Sequence, residues 1–495
     1  LNLSICDNLK VEYNIPVSIN EKEVYKHDPS SDFYNDECTK YTAEGNVDMT
    51  LYERKNEFNS QNLSLCESKC EFKGYNSSTS RAICDCNIKS DMTFSENDIN
   101  KGSLISQIQS EKSSSNLGVT KCGNVLSSGE QIKSNGGFYS LLLIIIVFII
   151  VFILFCIKGK SMLEQKIDDV IYKKFDRNEK KGKVKEKSTI LNSHKNKKTT
   201  VKKKSKKVKV KNKIEQKSVN SKNLIHSRKS IKLTTNKNPL DIKGNKGINN
   251  NILEKKEKQI ENVPDKDNDY ELNSLSYFEA QKYDKRTRCD YYCSLIKYKQ
   301  LFAFTFCSFN DYNSGIIKKF IFFLSFALHY TINALFFNDS NMHQIYEDEG
   351  KYNFSYQFPK ILISAISSTI ILRIMLETLV LTDKSILQVK HELTRDLALN
   401  RKKQVLKCIN IKFTIFFILN FILLVLFWYY LTCFNAVYEI TQIYLIENTA
   451  ISFGLSLIYP FIINILPSAL RMGSLGGKKS DNSCLYRTSQ FLQLL

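Results

Sequence analysis

The stretch FYSLLLIIIVFIIVFILFCI, Phe138 to Ile157, runs for twenty residues without a charge. At about 1.5 Å rise per residue it covers the roughly 30 Å hydrocarbon core of a bilayer. A helix on the surface of a water-soluble protein keeps a polar face, and this one has none. It predicts a transmembrane helix. Four further apolar stretches continue the pattern: Phe320–Phe337, Ile361–Thr382, Phe413–Phe434 and Thr449–Pro467. The fourth span carries Trp428, Tyr429 and Tyr430 toward one end, as an interfacial aromatic belt would. The fifth contains Gly454 and Pro460, which membrane helices tolerate where neighbours satisfy the freed backbone groups.

Loop charges orient these spans. Residues 383–412 hold eight basic and three acidic side chains, whereas 338–358 hold one and four. Residues 435–448 hold only Glu439 and Glu447 as charges. The positive-inside rule makes the basic side cytoplasmic, so residues before the first span lie outside and those after the fifth inside. The Asn-x-Ser/Thr acceptors agree: Asn2, Asn62, Asn76, Asn338 and Asn353 all fall on the expected outer segments. The expectation is a multi-pass glycoprotein of the plasma membrane.

The fold class expected is therefore an α-helical multi-pass membrane protein of about five transmembrane helices. A small disulfide-rich extracellular domain and spacer occupy residues 1–137. A disordered, lysine-rich cytoplasmic loop occupies 158–270, an amphipathic interfacial segment 271–315, a second basic loop 383–412 and a tail 468–495. Between Lys158 and Pro264 there are 33 Lys and Arg against 11 Asp and Glu, while the whole chain carries +21. The positive charge thus belongs to one loop, whose densest part, VKKKSKKVKVKNK (201–213), has eight lysines in thirteen positions. On the cytoplasmic face of a membrane protein such a run is a solvated tether or an attachment to anionic inner-leaflet lipids, not a nucleic-acid site. The bilayer, those lipids and a membrane-protein partner are the partners expected.

Seven cysteines precede the first span: Cys6, Cys38, Cys66, Cys70, Cys84, Cys86 and Cys122. In an oxidising compartment they are disulfide candidates, above all Cys66, Cys70, Cys84 and Cys86. The spacing contains no C-x2-C pair, which disfavours zinc. Ser276 and Glu279 fit a capping box ahead of a helical run. Cys289, Cys293 and Cys307, on the cytoplasmic side, read as reduced structural thiols or acylation sites.

Ionisable and polar residues inside spans are costly and count as candidate sites. His329 and Asn333 are four residues apart, as are Arg373 and Glu377, so each pair shares a helix face. Both pairs read first as contacts that hold helices together and second as part of an ion or proton path. No Gly-rich phosphate loop, activated nucleophile or metal-ligand spacing stands out, so neither an enzyme nor a cofactor is expected.

SYFEAQKYDKR, DYYCSLIK, FNDYNSGIIKKF and LHYTINALFFND, with WYYLTCFNAVYEITQIYLIENTAISFGLSLIYPFIINILPSALR, resemble a family of multi-pass surface proteins of ciliates and other protists. More distantly, YTINALFF and AVYEITQIYLIENTAISFGLSLIYP are similar to the transmembrane region of polycystin-type receptors. That resemblance implies an outer domain, one span, a cytoplasmic insert and two pairs of spans joined by a basic loop. The disulfide-rich ectodomain and the polybasic cytoplasmic loop themselves point to a non-enzymatic receptor or adhesion-like surface protein, with a polycystin-like ion channel or transporter subunit as the alternative. Here the insert is a lysine loop instead of a lipid-binding β-sandwich.

Overall fold

The computed structural model describes residues 10–43, 45–67, 70–87, 115–127, 129–175, 264, 268–307, 311–476 and 482–493. The chain divides into two units: one combines 1–175 with 262–495, and the other is 176–261. Asn2, Cys6 and the lysine run lie outside the described residues.

The N-terminal part is held by covalent bonds as much as by its core. Strands β1 (Lys10–Pro16), β4 (Cys70–Asn76) and β5 (Arg81–Asn87) form an antiparallel sheet in the order β1-β5-β4. Cys70 faces Cys86 and Phe72 faces Cys84 across the β4–β5 ladder. The Cys70–Cys86 disulfide joins that directly opposed pair, and Cys66–Cys84 ties the preceding loop to the same strand. Two short strands, β2 (Thr42–Ala43) and β3 (Val47–Asp48), lead into helix α1 (Leu51–Ser60). Phe33, Tyr34 and Phe58 make a small aromatic core beneath them, with Tyr34 and Phe58 rings edge to face at 5.0 Å. So small a core gains much of its stability from cross-links.

Cys38–Cys122 closes a third disulfide. Its second cysteine lies in 3-10 turns over Asn116–Ser127, where Val119 and Cys122 are fully buried. The expected spacer therefore ends in packed structure, because one apolar face and a cross-link suffice to order it. Alkylation of the unreduced, denatured protein is expected to spare Cys38, Cys66, Cys70, Cys84, Cys86 and Cys122 while modifying Cys289, Cys293 and Cys484. Mass mapping that finds label on any of the six would contradict this pairing.

Among the described residues, five stretches are long and apolar enough to cross a membrane: Gly136–Phe175, Gly315–Phe336, Phe354–His391, Arg395–Val437 and Thr441–Gly476. In chain order, the helices after α1 are α2 (Gly136–Phe175), α3 (Asp269–Asn273), α4 (Tyr277–Tyr283), α5 (Arg288–Lys299) and α6 (Leu301–Phe306). Next come α7 (Gly315–Phe336), α8 (Asp339–Glu347), α9 (Phe354–Met375) and α10 (Asp383–His391). Last are α11 (Arg395–Val437), α12 (Thr441–Ile463), α13 (Ile465–Gly476) and α14 (Ser483–Leu492).

Two segments expected to be loops are helical. Helix α2 continues past Ile157 through a π turn at Phe155–Gly159, burying Leu163, Ile167 and Ile171 as far as Phe175. Residues 383–412 are α10 and the first part of the 43-residue α11, with Ile386, Val389, Ala398, Val405 and Ile409 buried. Their lysines and arginines occupy the outer face, so a charge count alone reads as a loop.

Helices α2 and α11 meet closely. A Cβ on Gly137 would lie 2.6 Å from Asn435 Nδ2, so only glycine permits this approach. Further along the seam Phe148, Phe152 and Phe155 interleave with Phe413, Phe417 and Phe421, with ring centroids 5.1 to 6.3 Å apart.

Candidate functional site

The N-terminal domain is fastened to one set of helix ends. Gly45 and Asn46 both take positive φ (89° and 62°), reversing the chain between β2 and β3. That turn brings Asp48 to the start of α12, where its Oδ2 accepts from the backbone N–H of Ile440 at 2.9 Å and Thr441 at 2.8 Å. A carboxylate at a helix N-terminus satisfies free amides and meets the positive end of the helix dipole. Burial nevertheless raises the Asp48 carboxyl above its usual pKa, with the Thr441 hydrogen bond opposing.

Other fastenings repeat the theme. Asn116 Nδ2 donates to Phe337 O at the end of α7 (2.7 Å), and Tyr429 OH on α11 donates to Thr120 O (2.8 Å). His343 Nδ1 on α8 lies 2.9 Å from Glu53 Oε1 on α1, and Lys40 pairs with Glu439. Each partner outside the domain lies on a segment expected to be outer, at the Phe337 end of the second expected span, or on the Tyr429 end of α11.

The opposite ends carry a second polar layer. Lys318 and Asp311 form a buried ion pair at 2.6 Å, and Lys166 Nζ donates to Asn313 O at 2.7 Å. Asp383 accepts from Tyr312 N at 2.9 Å and Asn313 Nδ2 at 2.5 Å, so the turn before α7 is gripped by both α2 and α10. Deeper in this layer Arg471 is fully buried between the Tyr291 and Tyr486 rings, at 4.7 and 4.8 Å from their centroids. It donates to Leu272 O (2.6 Å) and Asn273 O (3.0 Å) and pairs with Asp284 at 3.2 Å. The capping box at Ser276 is present, Glu279 accepting from Ser276 N at 3.0 Å, and a second one pairs Thr287 with Asp290.

Between the two layers a polar seam threads α7, α9 and α12. Near the end that meets the N-terminal domain Tyr352 OH donates to Asn448 Oδ1 (2.6 Å), and Asn448 Nδ2 donates to Gln357 Oε1 (3.3 Å). Farther in, His329 Nδ1 lies 2.9 Å from Ser452 Oγ. Buried His329 Nε2, Ser364 Oγ and Ser368 Oγ have no hydrogen-bond partner among the described residues. Asn333 Nδ2 turns back to His329 O at 2.8 Å, within its own helix. Arg373 Nε donates to Glu377 Oε1 at 3.0 Å, where a π turn over Leu376–Val380 follows α9.

Of the glycan acceptors, Asn62, Asn76 and Asn353 are exposed, and Asn338 is half-buried as the N-cap of α8. Among the described residues, no group of three or more His, Cys, Asp or Glu is placed to hold a metal ion. Asp48, Arg471 and Lys318 were not singled out from the sequence. Their partners lie from seven to almost four hundred positions away, and only the isolation of Arg471 in an otherwise uncharged run marks it. Comparisons with protein-family models, with curated proteins and with solved structures find no match to this chain.

Proposed function

We propose that the chain is a five-span integral membrane protein of the cell surface. In this reading it is a non-enzymatic receptor whose disulfide-linked outer domain and span ends move as one body. Insertion is supported by rows of exposed isoleucine at helical spacing: Ile146, Ile149, Ile150 and Ile153 on α2, and Ile411, Ile415, Ile418 and Ile422 on α11. In water such faces would be an aggregation surface; in hydrocarbon they are matched to their solvent. The polar layers at the two ends fit the headgroup regions, with the exposed acceptors Asn62, Asn76 and Asn353 on the outer side.

The observation that carries the receptor reading is the Asp48 cap on α12. A ligand that displaces β3 withdraws a charged cap from a helix lining the polar seam, and loss of such a cap costs about 1 kcal/mol. An antibody raised against residues 10–87 serves as a surrogate ligand for the reconstituted full chain. Its binding is expected to change amide exchange in the first turn of α12, and Asp48→Ala is expected to abolish that remote effect. An exchange change confined to the epitope in the parent protein would contradict the reading.

The seam favours a second reading, a channel or transporter subunit. Three unpartnered polar groups, one on α7 and two on α9, are what a hydrated path requires, and water would satisfy them. Arg373 and Glu377 separate the two. As a structural pair, single Leu replacements strand a charge and lower surface amount several-fold, while Arg373→Leu with Glu377→Leu restores it. As part of a path, the double variant reaches the surface normally but abolishes a current present in the parent. Surface biotinylation and whole-cell recording, made together, decide.

A further inference from the structure

A groove of about 540 Å³ runs between α9 and α12. Along α9 its lining extends from Leu362 to Glu377, about 22 Å at 1.5 Å per residue, longer than the roughly 15 Å of one leaflet's hydrocarbon. Ile366, Ile370 and Ile374 line one wall and Ile458 and Ile462 the other. The groove is therefore apolar for most of its length and changes character at one end.

At that end Thr369, Arg373, Ser456 and Tyr459 also line a neighbouring cavity of about 50 Å³, which Lys299 enters from α5. Arg373 commits its Nε to Glu377. Among the described residues its two terminal amino groups make no hydrogen bond, which leaves them able to take a forked acceptor. Lys299 donates to the Gln493 carbonyl. Burial, and then the charge of Arg373, bring Lys299 down to about 7, against which Glu377 acts. Two basic side chains thus face one carboxylate; Lys299 at about 7 carries only part of its charge at neutral pH, so the end of the apolar groove bears a partial positive charge that a phosphate beside it would complete by favouring the ammonium.

We propose that this groove binds an anionic phospholipid, with an acyl chain between the isoleucine walls and its phosphate held by Arg373 and Lys299. The proposal rests on the five-span reading. A guanidinium fork matches two phosphate oxygens, and a lysine beside it adds a point charge. A neutral lipid would fill the same walls but leave the partial positive charge uncompensated. Free phosphate would meet the two cations yet gain nothing from the groove's length. The π turn after α9 sits beside the headgroup end, a placement common at functional sites.

The full chain, purified in detergent with palmitoyl-oleoyl phosphatidylglycerol or the matching phosphatidylcholine, is examined by native mass spectrometry. About one phosphatidylglycerol per chain is expected to survive washing, with phosphatidylcholine removed and millimolar inorganic phosphate failing to displace it. Arg373→Gln is expected to lower retention roughly tenfold or more. The Arg373→Gln, Glu377→Gln pair, which strands no charge, is expected to do the same. Ile370→Trp, which fills the groove and leaves the charges, is expected to lower retention of either lipid. Thermal unfolding of each variant shows that it is folded. Equal retention of the two lipids by the parent protein, displacement by phosphate, or unchanged retention in the folded charge-free pair would overturn the proposal. So would a co-purified protein helix cross-linked to α9 in the lipid's place. A loss of lipid selectivity leaves the number and orientation of the spans as they are, so the two readings fail separately.

Discussion

Arg471→Leu is expected to unfold the layer formed by residues 268–299 and 465–493. The guanidinium is fully buried, and its removal takes this donor from the Leu272 and Asn273 carbonyls and leaves the buried Asp284 carboxylate with Arg286 as its remaining cation. It also empties the space between Tyr291 and Tyr486. Breaking a buried ion pair by removing one partner costs about 3–5 kcal/mol. Arg471→Lys is not expected to rescue, because one ammonium cannot span two carbonyls and a carboxylate in the geometry of a planar fork. Trypsin cleavage at Arg286 and Arg288, slow in the parent, should rise by two orders of magnitude or more at a loss of that size. Cleavage within threefold of the parent would show that the arginine is incidental.

The same layer has a pH signature. Burial would raise the Asp284 carboxyl, but the Arg286 hydrogen bond and the charges of Arg286 and Arg471 outweigh it and leave it below its usual value. A depressed folded value means that the stabilisation is fully present above the unfolded value of about 4 and is lost as pH falls through the folded one. Cleavage at Arg286 should thus stay slow at neutral pH and accelerate only in that acid window. In Arg471→Leu it should already be fast at neutral pH.

Removal of the Cys38–Cys122 disulfide has the second large effect. The two cysteines are 84 residues apart, and a loop of that length is worth about 4–5 kcal/mol in the chain-entropy account. The bond also holds Asn116 and Thr120 against Phe337 and Tyr429, so its loss loosens the N-terminal domain from α7 and α11. Cys38→Ala with Cys122→Ala is expected to render residues 115–135 sensitive to protease while the β4–β5 hairpin, with its own two disulfides, stays protected. Protease resistance equal to the parent's at 115–135 would mean that side-chain contacts alone hold this segment.

What could be read in advance from the sequence was local or periodic. Apolar runs mark the five helices long and apolar enough to cross a membrane, as expected if hydrocarbon leaves their backbone no alternative to helix. The four-residue spacing places Arg373 and Glu377 on one face, and the Ser276–Glu279 spacing marks a helix start. The helical extension of α2 to Phe175 was hidden because lysines cover its outer face and a π turn shifts its register after Phe155. Residues 383–412 were hidden for the same reason: Val405, Ile409 and Phe413 continue the inner face, but the charge count dominates the reading. The Asp48 cap and the Arg471 hub depend on partners nearly 400 and nearly 200 positions away, which no window along the chain can see.

In the five-span reading the N-terminal-domain layer and the Arg471 layer lie on opposite sides of a membrane. Native cysteines test it without any substitution. Cys289, Cys293 and Cys484 are exposed and sit in the Arg471 layer, while the six bonded cysteines of the outer layer offer no thiol. Sealed cells expressing the chain are treated with a membrane-impermeant maleimide before or after permeabilisation, and the labelled peptides are mapped. The account predicts label on Cys289, Cys293 and Cys484 only after permeabilisation. Full labelling of these three in sealed cells would contradict it.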